Sequence, residues 1–194
     1  MIELIRARRS VRQFQAKPVP RELLLRLAEA ARLAPSAANR QPLEFFLVDD
    51  PEVCRLIFPC LRWAGYISPA GDPRPGQEPA AYVLNLVNTS LRDKGYEYDV
   101  GAAMMSMILT AWAEGVASCW LISVERAEVS RLLAIPETHR LDSVLALGYP
   151  AESPLAEDLT DSVQYWKDAD GRLHVPKRKL ERVVHLNRFA TRPE

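Results

Sequence analysis

The sequence predicts a single α+β domain over residues 1–194, and two observations lead to this fold class. The chain of 194 residues is 48% hydrophobic and 26% charged, which is ordinary for a folded protein and sufficient for one hydrophobic core. Segments with helical and strand-like patterns follow one another without the regular alternation that builds a doubly wound parallel sheet. Composition and pattern together exclude disordered, collagen-like and disulfide-scaffold classes.

Spacing, caps and prolines define the elements of the first half. Apolar positions recur at helical spacing in Arg21–Arg32, and Pro35 ends that helix. The aromatic-rich run Glu44–Val48 predicts a strand, whereas Asp50 followed by Pro51 predicts a helix start. The predicted elements here are helices Ile2–Arg8, Arg21–Arg32 and Pro51–Phe58, and strands Glu44–Val48 and Ala81–Val87.

A largely apolar helix dominates the second half. Asp99 is predicted to cap a helix over Val100–Glu114, which Gly115 ends. The helix is apolar on almost every side, which is typical of a helix buried in a core or a subunit interface. Ser68–Pro79, with four prolines and two glycines, is predicted to be an exposed loop or a mobile lid. The remaining predictions are strands Ala117–Ile122, Ser143–Leu147 and Ser162–Trp166, and helices Glu125–Ala134 and Arg178–Leu186.

Charge is unevenly distributed along the chain, although the net charge is zero. Residues 1–40 hold nine basic and three acidic side chains, and residues 172–194 hold seven and two. Residues 41–99 and 100–171 are acidic, with net charges of −4 and −7. Two cationic ends around an acidic middle predict an anionic partner.

Several classes of functional site lack their sequence motifs. The chain has no G-x-G-x-x-G, no G-x-x-x-x-G-K-[ST] and no G-x-S-x-G. We therefore expect no Rossmann dinucleotide site, phosphate loop or nucleophile elbow. Cys54, Cys60 and Cys119 form no C-x-x-C, and the three histidines form no H-E-x-x-H, so no metal site is expected.

The start of the chain and its longest apolar run bear on location. Residues 1–10 lack the apolar segment of a secretory signal. The nearly apolar stretch Val100–Ala113 is shorter than the roughly 18–20 residues that span a membrane. We therefore expect a cytoplasmic protein with reduced thiols and no membrane partner.

The first motif with chemical content runs from Arg8 to Arg12 and reads R-R-S-V-R. It places three guanidinium groups and the Ser10 hydroxyl within five residues. Guanidinium groups donate in a planar fork that suits phosphate and carboxylate oxygens. A solvated charge run at a helix end is the alternative interpretation.

The second motif spans Ala34–Pro42, where two prolines bracket small residues and the amides of Asn39 and Gln41. Small side chains let a flat ligand approach the backbone closely. Amide groups suit the polar edge of a heterocycle or ribityl hydroxyls. A plain helix-to-strand connection is the alternative interpretation.

The third motif is the basic cluster Pro176–Lys179. Basic residues at a helix start oppose the helix dipole, so an anion bound there would explain them. A solvated or nuclear-localisation-like patch is the alternative interpretation.

Together with P-V-P at residues 18–20, these motifs resemble the FMN-dependent nitroreductase family. The resemblance implies a homodimer of α+β subunits, intertwined through the chain termini, with a central, mostly antiparallel sheet flanked by helices. It also implies two FMN molecules in the dimer interface, each touched by both subunits. Further matches, in family order, are Asp99–Ala103, Gly115–Trp120, Ile135-Pro136, Gly148–Pro150 and Pro176–Arg178.

The resemblance assigns FMN contacts by position in the motifs. The phosphate is expected to be held by Arg8 and Arg178 with Lys177. Polar contacts to the rest of the cofactor come from Arg12 at the flavin pyrimidine edge and from Arg9 and Ser10. The other subunit lines the isoalloxazine and ribityl chain with Pro35, Ser36, Ala37 and Asn39, with Gln41 as a further contact. The backbone of Leu121 and Ile122 passes the ring face, and many relatives have a glycine where this chain has Ile122.

The function that the resemblance implies is an NAD(P)H-dependent flavin oxidoreductase. A hydride passes from NAD(P)H to flavin N5 and then to an electron-poor acceptor, such as a nitroaromatic or a quinone, with ping-pong kinetics. Arg12 is expected to stabilise the negative charge of the reduced flavin. No protein nucleophile or general base is required.

Three other functions were weighed against this one. An FMN store or sensor without turnover would use the same motifs, and specialised relatives that dehalogenate substrates or fragment the flavin share the fold. Nucleic-acid binding is not expected, because the basic ends hold only Phe14 and Phe189 as aromatic residues for base stacking.

Overall fold

The protein is described by a computed structural model over residues 1–189, and residues 190–194 of the predicted domain lie outside the described residues. The chain divides into two compact units, one over Met1–Glu152 and a second that begins at Ser153. Each unit contains one sheet. The single domain over residues 1–194 stays a prediction.

An antiparallel sheet of four strands forms the centre of the first unit. Its strands are β1 (Leu43–Val48), β2 (Ala81–Asn88), β3 (Ala117–Leu121) and β4 (His139–Gly148). They lie in the order β1-β2-β4-β3, and every neighbouring pair is antiparallel. The prediction of an α+β fold with a mostly antiparallel central sheet is confirmed.

Five α-helices accompany this sheet within the described residues 1–189. Asp50 caps the third helix as predicted, since its side chain accepts the backbone N–H of Glu52 at 2.8 Å. The helices are α1 (Ile2–Ala7), α2 (Arg21–Arg32), α3 (Pro51–Ile57), α4 (Glu97–Ala113) and α5 (Arg126–Leu132).

The main core lies between α4, α2 and one face of the sheet. Met104 and Met107 of α4 are completely buried there, as are Leu27 of α2 and Leu145 of β4. A helix that is apolar on most sides is stable when it has neighbours on most sides. The apolar sequence of α4 therefore reflects its place in the core.

The predicted start of α4 is wrong. The helix begins at Glu97, and Asp99 lies inside its first turn rather than at the cap. The Asp99 side chain is buried and accepts hydrogen bonds from the distant residues Ser36 and Ala37. A tertiary contact thus occupies the carboxylate that the local pattern assigned to a cap.

The second unit contains a small mixed sheet. Its strands are β5 (Leu155–Asp158), β6 (Trp166–Lys167) and β7 (Leu173–Lys177), in the order β5-β7-β6. β7 pairs in parallel with β5 and antiparallel with β6. The sequence did not predict β5 or β7.

Two predicted elements of this unit are wrong. Only Trp166 of the predicted strand Ser162–Trp166 is in a strand. In place of the predicted helix Arg178–Leu186 there is a short 3-10 turn over Leu180–Arg182. The apolar side chains of this segment are largely exposed, and a short helix without a buried face is marginal in water.

His174 lies at the centre of the small sheet and has a carboxylate at each ring nitrogen. Nδ1 is 2.7 Å from Glu157 Oε2, and Nε2 is 3.0 Å from Asp168 Oδ2. The Trp166 ring stacks on the imidazole, with the ring centroids 4.3 Å apart. Both ring nitrogens donate only in the imidazolium form. Hydrogen bonds, first with Glu157 and then with Asp168, raise the pKa of His174.

We predict that the small sheet becomes less stable as pH rises through the raised pKa of His174. The stabilisation is complete below the ordinary pKa of 6.5 and is lost above the folded-state pKa, because the imidazolium is then deprotonated. Hydrogen exchange of the β7 amides, measured at increasing pH and corrected for the intrinsic rate, should show falling protection. His174→Gln should remove this pH dependence, and an unchanged profile in that variant would contradict the prediction.

Candidate functional site

The basic segment Arg8–Arg12 runs alongside β3. The backbone N–H of Val11 donates to Ser118 O at 3.0 Å, and Ser10 forms a parallel bridge with Ser118. Val11 is completely buried, whereas the side chains on either side of it are half-buried. One buried apolar residue therefore fixes the segment and leaves its polar side chains beside the strand.

The next residues attach this segment to the end of β4 and to a loop. Phe14 is completely buried against Gly148, where an added Cβ would lie 2.8 Å from the Phe14 ring. The Gln13 side chain is also buried; its Nε2 donates to Asp72 O at 2.8 Å, and its Oε1 accepts the N–H of Arg74 at 3.0 Å. The segment predicted as a loop, Ser68–Pro79, forms turns without helix or strand, and Gln13 holds it in place.

Arg8 and Arg9 carry positive charge that no carboxylate neutralises within the described residues 1–189. Neither guanidinium has a carboxylate oxygen within salt-bridge distance there, and Arg9 Nη1 donates to the carbonyl of Arg8. Burial, and then the charge of Arg8, lower the pKa of Arg9. Two adjacent, partly desolvated cations are a favourable site for an anion.

Arg12 lies next to the strand and to a carboxylate. Its backbone N–H donates to Glu152 Oε1 at 2.5 Å. Its guanidinium also lies near the buried Cys119 thiol, whose pKa is raised by burial in spite of that cation. Burial likewise raises the pKa of Cys54, to about 11. Both thiols are therefore protonated at neutral pH and are core side chains.

The predicted ligand-lining loop is attached to the first turn of α4 by Asp99. Ser36 Oγ donates to Asp99 Oδ2 at 2.6 Å, and the N–H of Ala37 donates to Oδ1 at 3.0 Å. Ser36 Oγ also accepts the N–H of Gln41 at 2.9 Å. Asp99 is only 3% exposed, so the loop and the helix share one buried, satisfied carboxylate.

Three residues of this loop have left-handed backbone conformations. The φ angles are 54° at Ala38, 52° at Asn39 and 49° at Gln41. Such conformations cost energy in residues other than glycine and persist where surrounding contacts hold them. The contacts of Ser36 and Ala37 with Asp99 provide that constraint, and the Asn39 side chain projects from an exposed turn.

The other predicted contacts lie at two strand ends. Leu121 is the buried last residue of β3, and Ile122 beyond it is 60% exposed. Lys177 and Arg178 lie at and just after the end of β7, in the second unit. No α-helix begins at this point among the described residues, so these basic residues do not oppose an α-helix dipole. Arg178 Nη2 donates to Arg182 O at 2.9 Å.

Comparison with known proteins places the fold and the motifs in one family. A sequence model of the Nitroreductase family matches residues 5–149. The chain belongs to the nitroreductase family. A provisionally named NADH dehydrogenase/NAD(P)H nitroreductase of Methanothermobacter thermautotrophicus is 31% identical over 166 residues, which are 83% of each chain.

Two further proteins are similar to this chain. The iodotyrosine deiodinase of Haliscomenobacter hydrossis is 24% identical and covers 78% of this chain and 80% of its own. An FMN-dependent nitroreductase of Clostridium difficile has the same fold, with a TM-score of 0.70, 22% identity and coverage of 97% of this chain and 100% of its own.

The structure joins some of the predicted nitroreductase site residues within one chain. It brings the segment Arg8–Arg12 together with β3, which ends at Leu121, and it attaches the loop that contains Ser36 to α4. Lys177 and Arg178 belong to the second unit. No cluster of His, Cys, Asp and Glu suited to a metal ion exists among the described residues. No helix in that part of the chain is long and apolar enough to cross a membrane.

Two positioning residues of this chain were not predicted. Gln13 stands directly after the basic motif, but no local sequence pattern distinguishes it from an ordinary surface polar residue. Asp99 opens a recognised motif, and its position just before an apolar run suggested a cap. Its partners Ser36 and Ala37 lie more than 60 residues away, so no local pattern reveals them.

We predict that Asp99→Ala destabilises the first unit and frees the loop attached to it. The change leaves the Ser36 hydroxyl and the Ala37 N–H without their acceptor, at a cost of about 1–3 kcal/mol. Urea unfolding measures this loss, and hydrogen exchange of residues 36–41 measures the loop. Asp99→Asn keeps one acceptor oxygen and should lose less. Equal stability of Asp99→Ala and the unmodified protein would contradict the role of Asp99.

Proposed function

We propose that this protein is an FMN-dependent oxidoreductase that passes a hydride from NAD(P)H, through FMN, to an electron-poor small molecule such as a nitroaromatic or a quinone. The observation that carries the proposal is the pair of cations Arg8 and Arg9, held beside β3 without a carboxylate partner in the described chain. Family membership supplies the identity of the anion they would bind.

The donor groups of the basic segment fit the phosphate of FMN. Arg8 and Arg9 provide fixed positive charge, and the half-buried Ser10 adds a hydroxyl beside β3. Phosphate oxygens accept charge-assisted hydrogen bonds from such groups. Lys177 and Arg178 are exposed, and we propose that they are further phosphate ligands in the homodimer.

The loop over residues 35–41 fits the flat part of the cofactor. Pro35, Ala37 and Asn39 are exposed, with small or amide side chains, so a ring can approach the backbone. The Ser36 hydroxyl is occupied by Asp99 and by the N–H of Gln41, so its role is to shape the loop. In the proposed homodimer this loop lines the FMN of the other protomer.

When bound, FMN supplies the chemistry, because its N5 atom accepts and donates hydride. Arg12 provides a permanent positive charge, which we place at the pyrimidine edge of the flavin, where charge builds up on reduction. Its position is fixed through the hydrogen bond of its backbone with Glu152 and through the burial of Val11. The protein thus positions the flavin and stabilises its reduced form, and we assign no general base.

Reductive dehalogenation is the second candidate function, and the similarity to an iodotyrosine deiodinase favours it. The two candidates share FMN and differ in the acceptor.

The decisive experiment is stopped-flow mixing of the FMN-loaded protein with NADH and with NADPH, followed by a nitroaromatic, a quinone or a halotyrosine. Bleaching of the flavin band by a donor and its recovery with one acceptor class would identify the reaction. Absence of bleaching by both donors would leave an FMN store or sensor and overturn the proposal.

We predict that Arg8→Ala weakens FMN binding by about tenfold or more, because a charge-assisted hydrogen bond is lost. Titration of the apoprotein with FMN, followed by flavin fluorescence, measures the dissociation constant. Arg6→Ala is the matched control, since Arg6 is exposed and pairs with Glu3 at 3.1 Å. Equal losses in both variants would show that Arg8 acts only through overall charge.

We predict that Arg12→Ala lowers the midpoint potential of the bound flavin and slows its reduction by NAD(P)H. The reason is the loss of a cation that favours the reduced, negatively charged cofactor. Spectroelectrochemical titration measures the potential, and stopped-flow absorbance measures the rate. An unchanged potential and an unchanged rate would remove Arg12 from the mechanism.

A further inference from the structure

Two open cavities adjoin on the first unit and share Thr89 and Asp93 in their walls. Their volumes are about 460 Å³ and about 610 Å³, each in the range of about 300–1,000 Å³ that is typical of small-molecule sites. We call their combined surface the basic groove. Its cationic residues are Arg40, Arg92 and Lys94 in the smaller cavity, and Arg126 and Arg140 in the larger one.

The basic groove has an excess of positive charge. Its carboxylates are Asp93, which both cavities share, and Glu137 in the larger one, and His139 also lines the larger cavity. Five permanent cations thus face two carboxylates. The excess is concentrated in a concave surface, which strengthens the attraction for an anion.

The arginines of the larger cavity donate to neutral acceptors, in contrast to seven arginines elsewhere in the chain. Arg126 Nη2 donates to Ile122 O and Asp142 O, each at 2.9 Å. Arg140 Nη1 is 3.4 Å from Asp93 O and 3.3 Å from the Tyr96 hydroxyl. These acceptors are neutral, so they fix the guanidinium groups without cancelling their charge. Arginines paired directly with a carboxylate elsewhere are Arg6, Arg21, Arg26, Arg32, Arg55, Arg62 and Arg131.

Arg92 is fixed in the same way at the smaller cavity. Its Nε donates to Lys94 O at 2.8 Å, and its Nη1 donates to Ala37 O at 3.5 Å. The nearest carboxylate oxygen, on Asp99, is 4.0 Å away. Gly95 makes room for this arrangement, because an added Cβ would lie 2.9 Å from Arg92 Nη2.

Arg40 and Lys94 remain available for a ligand. Both side chains are exposed, and neither forms a hydrogen bond or an ion pair within the described residues 1–189. They line the same cavity as the fixed guanidinium of Arg92. One fixed cation together with two adaptable cations suits a dianionic phosphate, which offers several acceptor oxygens.

We propose that the basic groove binds the phosphate groups of the nicotinamide donor, and that Arg40 and Lys94 bind the 2′-phosphate that distinguishes NADPH from NADH. This inference rests on the proposed function. The groove adjoins two proposed flavin sites. Arg92 donates to Ala37 O, in the loop that lines the FMN of the other protomer, and Arg126 donates to Ile122 O, beside the FMN of its own protomer. A donor whose nicotinamide lies on the FMN of the other protomer can therefore extend its phosphates past Ala37 into the groove. At neutral pH the 2′-phosphate adds a charge of about −1.5 to −2, which is opposite in sign to the excess charge of the groove.

The first test measures binding without turnover. Isothermal titration of the FMN-loaded protein compares adenosine 2′,5′-bisphosphate with adenosine 5′-monophosphate. We expect the bisphosphate to bind more tightly than the monophosphate. Because the two side chains are exposed, we expect Arg40→Gln and Lys94→Gln each to weaken its binding by about threefold, and the double variant by about tenfold. Arg55→Gln removes an exposed cation of α3 outside the groove and should leave the affinity for the bisphosphate unchanged.

The second test measures donor choice during turnover. We expect kcat/KM to be higher for NADPH than for NADH, and the ratio of the two values to fall in the double variant. Added salt should reduce the same ratio, because it screens exposed charges. Flavin reduction by both donors with equal efficiency, or bisphosphate binding that neither substitution weakens, would overturn the inference and leave the proposed function intact. Failure of both donors to reduce the flavin would overturn the proposed function instead.

Discussion

The buried carboxylate of Asp99 is the interaction on which the candidate site depends. It joins the first turn of α4 to Ser36 and Ala37, and the guanidinium of Arg92 lies 4.0 Å from the same carboxylate. Desolvating a carboxylate is costly unless its oxygens are satisfied, and here both are. The charge therefore fixes the geometry of a strained loop more than it adds to stability. The loop that we propose lines the flavin and Arg92 of the basic groove both contact this one group.

Charge compensation separates the scaffold from the proposed binding surfaces. Most arginines on the helices pair with a nearby carboxylate, such as Arg32 with Glu29 and Arg131 with Glu128. Arg8, Arg9 and, apart from Arg92, the cations of the groove have neutral acceptors or no acceptor among the described residues. The net charge of zero thus conceals local surplus charge, and the surplus lies where we propose that FMN and its electron donor place their phosphates.

Much of the fold could be predicted because periodicity and caps act over a few residues. The helix Arg21–Arg32 and the strands of the central sheet follow from apolar spacing, and Asp50 caps α3 as its sequence indicates. The errors fall where tertiary contacts override the local pattern. Amphipathic spacing after Arg178 predicted a helix, but without a buried face that helix does not form. The strand β7 was missed because its only fully buried residue is Leu173.

The sequence by itself determined the family, through ordered motifs that extend from Arg8 to Arg178, and it determined the central buried helix through composition. Only the tertiary structure decided what those motifs contact. Asp99 meets Ser36 across 63 positions, and Gln13 meets the backbone of Asp72 across 59. The groove likewise unites cations from a loop, a helix and a strand. A hydrogen bond forms only when its donor and acceptor atoms come within about 3 Å of each other. The packing of the core decides which distant residues come that close, and the local sequence does not show it.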